Sequence, residues 1–171
     1  MKVIIRRSNK GDMDGIYECH KECFKLSDHW YKSAIQQYVD KSYVIELDET
    51  RKIIGVLLQG PVIPCGASEV DSFIPITENG KLYIEKQTHL ETNMGISMLC
   101  IHPEYRKKGL AKKLIQLHIK ENPDKLLCLN TRSSNPAYNL YLKMGYEHIV
   151  IVKNKYYFPT EDSYFMVKGM V

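Results

Sequence analysis

The residues with the clearest potential for chemistry form a short basic turn. Arg106, Lys107 and Lys108 precede Gly109, and the residues after the glycine have helical periodicity. A glycine turn that opens a helix leaves backbone N–H groups pointing outward, and the helix dipole adds positive potential there. Three cationic side chains strengthen that potential. The pattern therefore indicates a binding site for a phosphate or diphosphate group.

Two elements must position this turn. The apolar run 96–101 predicts a buried strand, which Pro103 ends because proline cannot donate to a β-ladder. Leu110, Leu114 and Ile115 lie on one face of the helix predicted after the turn. A solvated basic helix start is the alternative explanation of the charges. The spacing is not that of a P-loop and no Gly-x-Gly-x-x-Gly is present, which argues against nucleotide hydrolysis and dinucleotide binding.

A second informative segment is 135–146, Asn-Pro-Ala-Tyr-Asn-Leu-Tyr-Leu-Lys-Met-Gly-Tyr. It has the start and stop signals of a helix: Asn135 is expected to cap it, Pro136 to take the first helical position and Gly145 to end it. The apolar run 126–131 before it predicts a buried strand.

Hydrophobic periodicity predicts the remaining elements. Strands are expected at 3–6, 43–47, 53–59, 147–152 and 163–167, and helices at about 12–24 and from Ser27 or Asp28 to Tyr38. Asn79-Gly80 between two apolar runs predicts a β-hairpin. It lies in an irregular segment, 60–94, which we interpret as a flap over a substrate cleft or as surface decoration. This order of elements predicts an α/β (α+β) domain, 1–171, with a mixed sheet and helices on both faces.

These segments resemble a known superfamily. His-Pro-Glu-Tyr followed by Arg-x-x-Gly-x-Ala resembles motif A of the GNAT (general N-acetyltransferase) superfamily, and 135–146 resembles its motif B. The resemblance implies a mostly antiparallel central sheet of about seven strands with a hairpin insertion. It also implies acetyl-CoA as cofactor, its diphosphate on the turn and its pantetheine beside the strand backbone and the motif B asparagine. The corresponding residues here are Leu99, Cys100, Ile101, Arg106, Lys107, Lys108, Gly109, Leu110, Ala111, Asn135 and Tyr138.

Acetyl transfer needs a held carbonyl, a donor to the oxyanion and a proton for the leaving thiolate. The resemblance implies that Tyr141 is the general acid, since a phenol with a pKa of about 10 is protonated at neutral pH. A core aromatic is the alternative role. The positions where relatives place a base hold Asn130 and, at 95–96, Gly and Ile. Glu91 and His89 lie just upstream and are candidate bases acting through water.

The lack of a strong base bears on the acceptor. At pH 7 an α-amine is neutral over a hundredfold more often than a lysine amine, because their pKa values are about 8 and about 10.4. A protein or peptide N-terminus is therefore the expected acceptor. The segment 156–166 is similar to the ending of N-terminal acetyltransferases, in which loop tyrosines, here Tyr156 and Tyr157 in loop 153–162, hold the first substrate residues. The facing wall of the cleft would be Asp28, His29, Trp30 and Tyr31.

The bulk properties fit one domain with an anionic cofactor. The chain has 171 residues and a net charge of +4, too mildly basic to favour a nucleic-acid partner. It has no 18-residue apolar run and no signal-peptide core, so a cytoplasmic location without a membrane partner is expected. The five cysteines are expected to be reduced. Cys19, His20 and Cys23 are too few for a closed zinc site, so no metal is expected.

Other functions remain open. The acidic residues of the insert could suit a cationic acceptor such as a polyamine, aminoglycoside or aminoacyl compound; they are Glu69, Asp71, Glu78 and Glu91. A non-catalytic acyl-CoA-binding module is the alternative of a different class, because a strong base is missing. A monomer and a homodimer are both compatible with the sequence.

Overall fold

The computed structural model describes residues 1–24, 30–60, 73–81, 93–157 and 160–169. The elements in chain order are β1 (Val3–Arg7), α1 (Met13–Cys23), α2 (Lys32–Gln36), β2 (Tyr43–Leu47), β3 (Ile53–Gly60), β4 (Phe73–Pro75), β5 (Asn93–Ile101), α3 (Leu110–Glu121), β6 (Leu126–Arg132), α4 (Tyr138–Lys143), β7 (Glu147–Tyr157) and β8 (Thr160–Lys168). They form two compact units, one made of 1–60 and 97–121 and the other of 61–96 and 122–171. None of the helices in the described ranges is long and apolar enough to span a membrane.

The first unit is built around β3, which is buried along its whole length. β1, β2 and β3 pair as an antiparallel meander. Ile16 of α1 packs with Leu58 in the main core cluster of this unit. On α3, His118 Nδ1 lies 2.6 Å from Oε1 of Gln59, the neighbour of Leu58. Because successive strand residues point to opposite faces, α1 and α3 cover the two faces of β3, as the sequence predicts.

Polar contacts fix the start of α1. Asn9 Oδ1 accepts a hydrogen bond from the Gly11 amide at 2.9 Å, and the Asp12 carboxylate accepts one from the Asn9 amide at 2.8 Å. This capping box belongs to a 3₁₀ turn, Lys10–Asp12, which leads directly into α1. Arg6 of β1 donates to both Asp12 oxygens at 2.7 and 2.8 Å, and to Glu46 of β2 at 2.7 Å. The guanidinium of Arg6 holds the pKa of Asp12 below its usual value.

The second unit is a mixed sheet. The first residues of β5 pair in parallel with β6, from Asn93 opposite Leu126 to Ile96 opposite Leu129. β6 pairs with β8, β8 with β7 and β7 with β4, all antiparallel. The eight strands in the described residues, most of them antiparallel, confirm the predicted class of fold. The buried core of the second unit is formed by Cys128, Ile149, Val150, Val152, Phe165 and Val167.

Two predicted turns are wrong. Asn79-Gly80 lies in a single helical turn, 78–81, in which the Lys81 amide bonds to the Thr77 carbonyl at 3.1 Å and Thr77 Oγ1 accepts from the Gly80 amide at 3.0 Å. Thr77 therefore satisfies the backbone N–H groups of Gly80 and Lys81 in a helical turn, so these groups do not pair across a hairpin. The predicted loop 153–162 is mostly strand, because β7 and β8 continue pairing to Tyr156 opposite Glu161.

Two predicted helices are shorter than expected. α4 begins at Tyr138 instead of Pro136, since the Asn135 carbonyl accepts a hydrogen bond from the Tyr138 amide at 3.0 Å and closes a separate turn first. α2 runs only from Lys32 to Gln36, and a 3₁₀ turn at Val39–Lys41 follows it. The predicted start of that helix at Ser27 or Asp28 lies outside the described residues.

The Arg6–Asp12 contact predicts a pH-dependent contribution to stability. Because folding lowers the pKa of Asp12, its stabilisation is complete above its pKa in the unfolded chain, about 4, and is lost as pH falls through the lower folded value. Asp12→Asn is expected to lower the free energy of unfolding by about 1–3 kcal/mol at pH 7. The difference from the unmodified protein should shrink towards pH 3 in urea titrations.

The matched control is Asp14→Asn, because the Asp14 side chain is 85% exposed. It is expected to change the free energy of unfolding by no more than about 0.5 kcal/mol. Equal losses for the two variants, or a loss at Asp12 that does not depend on pH, would contradict the assigned contact.

Candidate active site

The basic turn of the first unit links β5 to α3. Beyond β5, the His102 amide bonds to the Ile54 carbonyl at 2.8 Å, and a 3₁₀ turn follows at Pro103–Tyr105. Lys107 and Gly109 then adopt left-handed backbone conformations, with φ of +58° and +75°. The Lys113 amide bonds to the Gly109 carbonyl at 3.2 Å and starts the α3 ladder. By helix geometry, the N–H groups before Lys113 have no carbonyl partner within the helix.

The surroundings of this turn leave room for an anion. A Cβ at Gly109 would meet no atom within 4 Å, so the space beside the glycine is open. Lys107 and Lys108 are exposed, and the Lys108 ammonium lies 5.3 Å from the centre of the Tyr105 ring. Leu110 is buried and anchors the helix start beneath the turn. Backbone N–H groups without helical partners, next to two exposed lysine ammonium groups, fit a diphosphate.

Arg106 holds protein atoms together at the base of the turn. Its Nε donates to the Ile101 carbonyl at 2.9 Å and its Nη2 to the Cys23 carbonyl at 3.3 Å. The side chain thereby ties the end of β5 to the end of α1. These contacts give Arg106 a positioning role that the sequence pattern did not indicate.

The C-terminal half of β5 can offer a cofactor mainly its backbone. Met98 and Cys100 are buried in the core cluster that includes α1, so their side chains are directed away from any ligand on the other face. Leu99 is half-buried, and Ile101 packs over Gly55 of β3. The ladder of β5 with β6 ends at Ile96, five residues before β5 itself ends.

In the second unit, α4 buries Tyr141. The residue is only 6% exposed, and its ring lies edge-on to that of Tyr146, with centroids 6.0 Å apart. Burial raises the pKa of Tyr141, and the nearby Tyr156 phenol raises it further. The phenol is therefore protonated over the whole neutral range.

The segment before α4 is held by its own hydrogen bonds. Asn135 Oδ1 accepts from the Ala137 amide at 2.9 Å. Tyr138 packs edge-on to Tyr164 with centroids 5.3 Å apart, and its hydroxyl lies 3.5 Å from Nδ1 of His148. Burial lowers the pKa of His148. Sequence reasoning missed His148, because it belongs to neither of the two motifs.

A second group of side chains surrounds Tyr156. The Arg132 guanidinium lies 4.1 Å from the Tyr156 ring centre and 3.5 Å from the Glu161 carboxylate. Glu161 also accepts hydrogen bonds from Ser133 Oγ, at 2.8 Å, and from the Ser134 amide. Burial alone would raise the pKa of Glu161, but these hydrogen bonds hold it below the usual value. Sequence reasoning also missed Arg132, since it ends an apolar strand and belongs to no motif.

The other predicted acceptor residues are only partly described. The Trp30 amide donates to His20 Nε2 at 2.8 Å, and the centroids of the Trp30 and Tyr38 rings are 6.0 Å apart. Tyr31 is 83% exposed. The remaining candidates, Asp28, His29, His89, Glu91 and the side chain of Tyr157, lie outside the described residues.

Comparison with known proteins defines the class of protein and then the family. Arabidopsis thaliana NAA60, in a crystal structure with acetyl-CoA, has the same fold, with a TM-score of 0.74, 20% identity and coverage of 99% of this chain and 100% of that one. Residues 39–148 match the acetyltransferase (GNAT) domain family. The chain belongs to this family.

Two curated relatives add sequence similarity. An N-alpha-acetyltransferase of Sulfurisphaera tokodaii is 22% identical over 169 residues, which cover 95% of this chain and 90% of the relative. The mouse cysteine-rich protein 2-binding protein is 38% identical over 71 residues, 40% of this chain. That match spans only 9% of the mouse protein, so the chain corresponds to a small part of its length.

The contacts of Glu161 predict that its charge orders the segment before α4. Glu161→Gln is expected to weaken the bonds to Ser133 and Ser134 and to increase hydrogen exchange at the Ser134 amide about tenfold, equivalent to about 1.4 kcal/mol. The control is Asp162→Asn, whose carboxylate instead accepts from Lys153 Nζ at 2.8 Å and the Asn154 amide at 3.0 Å. Unchanged exchange at Ser134 in the Glu161 variant would refute this role.

Proposed function

We propose that this protein is an acetyl-CoA-dependent N-acetyltransferase whose acceptor is the N-terminal α-amine of a protein or peptide. The observation that carries the proposal is the left-handed turn 106–109 at the start of α3, with open space beside Gly109. Family membership supports the reaction class, and NAA60 with acetyl-CoA supports the donor.

Acetyl-CoA would supply the activated thioester, and the chain would bind and orient it. The N–H groups at 107–111 would donate to the diphosphate, and Lys107 and Lys108 would add charge. The backbone at 99–101 would pair with the pantetheine, as the resemblance to the family implies. The side chain of Asn135 would also hydrogen-bond to the pantetheine, although its Oδ1 already accepts a hydrogen bond from the Ala137 amide.

Tyr141 is the proposed source of the proton for the leaving thiolate. A general acid must carry its proton at the working pH, and burial ensures this for Tyr141 by raising its pKa. Its edge-on contact with Tyr146 restrains the ring. No metal has a role in this proposal.

The preference for an α-amine rests on the pKa argument and on the surroundings of Tyr156. A base among the described residues would have to be unprotonated and close to the acceptor, and the Glu161 carboxylate is already bound by Ser133 and Ser134. Glu91 and His89 remain proposed bases acting through water. An acceptor that is partly neutral at pH 7 reduces the demand on either of them.

Replacing Tyr141 tests the acid role. Tyr141→Phe removes the hydroxyl but keeps the buried ring, so kcat should fall roughly 100-fold while the Kd of acetyl-CoA stays within about twofold. Tyr146→Phe is the matched control, because its ring is also buried and meets the Tyr141 ring edge-on. Its kcat should stay within about threefold of the unmodified value. Equal turnover in the two variants would remove Tyr141 from the mechanism.

An acceptor panel tests the proposed substrate class. One peptide with a free N-terminus is compared with the same peptide blocked at the N-terminus and carrying one lysine, and with spermidine and an aminoglycoside. The kcat/KM at pH 7 should be about 100-fold higher for the α-amine than for the lysine, following their neutral fractions. Faster modification of spermidine or the aminoglycoside would establish the small-amine alternative. Acetyl-CoA binding without transfer to any acceptor would establish a non-catalytic module.

A further inference from the structure

Three cysteines from two elements of the first unit converge at one point. The sulfur atoms of Cys19, Cys23 and Cys100 all lie within 4.8 Å of one another, although Cys100 is far from the other two in sequence. All three are free thiols. Cys19 and Cys100 are 2% and 6% exposed, whereas Cys23, at the end of α1, is only half-buried. Cys23 is therefore the member of the cluster that solutes reach first.

The neighbours of Cys23 favour a thiolate at this position. Hydrogen bonds from Cys100 and Cys19 lower the pKa of the Cys23 thiol, and the guanidinium of Arg106 lowers it further. Hydrogen bonds with Cys19 and Cys23, together with burial, raise the pKa of Cys100. The cluster thus combines an accessible nucleophilic sulfur with a protonated, buried partner sulfur, which is the arrangement of a redox-active pair.

A metal ion is the other ligand that three sulfurs suggest. Closed zinc sites use four protein donors, and the cluster supplies three among the described residues. Arg106 places a permanent positive charge beside Cys23, which repels a cation and stabilises an anion. The donor set therefore favours oxidation chemistry over metal binding.

We propose that Cys23 and Cys100 form a reversible disulfide when hydrogen peroxide oxidises Cys23. The Cys23 thiolate attacks the peroxide, forming an S–O bond as the O–O bond breaks, and the released hydroxide takes a proton to become water. The Cys100 sulfur then attacks the sulfenic acid, forming the S–S bond. The hydroxyl group leaves with the Cys100 proton as a second water. Two thiols lose two electrons, and the peroxide gains them.

Helix geometry selects Cys100 over Cys19 as the partner. Cys19 and Cys23 are four residues apart on α1, which keeps their Cβ atoms about 5–6 Å apart. A disulfide needs Cβ atoms about 3.5–4.5 Å apart, so bridging these two would unwind the last turn of the helix. Cys100 lies on a separate strand and is free of this constraint.

Formation of the disulfide would also affect the proposed acetyl-CoA site. Arg106 bonds to the carbonyls of Cys23 and Ile101, and Cys100 lies in the strand segment proposed to pair with pantetheine. Oxidation would remove the thiolate that faces Arg106 and pull α1 against β5. This consequence rests on the proposed function, whereas formation of the disulfide does not.

Peptide mapping tests the disulfide. Trypsin cleavage after Lys21 separates Cys19 from Cys23, and each of the five cysteines falls on a different tryptic peptide. The protein is treated with hydrogen peroxide, blocked with iodoacetamide, digested without reductant and analysed by mass spectrometry. The expected product joins the Cys23 and Cys100 peptides with the loss of two hydrogen atoms, and dithiothreitol reverses it.

Two variants serve as controls. Cys23→Ser should abolish the linked product, whereas Cys128→Ser, a buried cysteine of the other unit, should leave it unchanged. A Cys19–Cys23 bridge, overoxidation of Cys23 without a disulfide, or zinc bound through Cys100 in native mass spectrometry would each overturn the proposal.

Calorimetry with acetyl-CoA tests the consequence separately. The oxidised protein should bind about tenfold more weakly than the reduced protein, and reduction should restore the affinity. Equal affinity in both states would disprove coupling to the donor site but leave a mapped disulfide intact. A lack of binding in both states would contradict the proposed function instead.

Discussion

The start of α3 is the constraint on which the donor site depends. A helix must leave its first N–H groups without carbonyl partners, and here the chain enters it through left-handed residues, Lys107 and Gly109. Leu110, Leu114 and Ile115 bury the opposite face, so the helix end cannot shift to satisfy those groups. Arg106 fixes the base of the same turn by bonding to β5 and α1. The positive potential is therefore concentrated at the exposed turn that begins α3.

The parts of the fold that the sequence predicts well are those governed by burial. β3 is an almost continuous apolar run that is buried along its whole length, and α3 has apolar residues at helical spacing. Both elements form where the pattern places them. The end of the helix at Gly145 was equally predictable, because few residue types other than glycine adopt its positive φ. Motif A similarly indicated a glycine turn at the start of α3, and the left-handed conformation of Lys107 and Gly109 is a feature of the structure.

The predicted turns and helix starts are wrong where local hydrogen bonds compete with the predicted secondary structure. Asn79-Gly80 forms a helical turn since Thr77 caps it, and Asn135 closes a turn of its own before α4. Contacts between distant residues were beyond the reach of sequence patterns: Arg132 over Tyr156, His148 beside Tyr138, and Cys100 against α1. None of these pairs is marked by spacing, because tertiary packing alone brings them together. The acceptor side therefore could not be derived as fully as the donor side.

The most direct test of the central claim is backbone amide mapping with coenzyme A. In ¹H–¹⁵N correlation spectra of the labelled protein, titrated coenzyme A should cause its largest amide shifts at residues 107–111, because these N–H groups are proposed to donate to the diphosphate. Gly109→Ala should reduce those shifts by forcing a side chain onto a backbone with a φ of +75°. Largest shifts elsewhere, with 107–111 unchanged, would contradict the account.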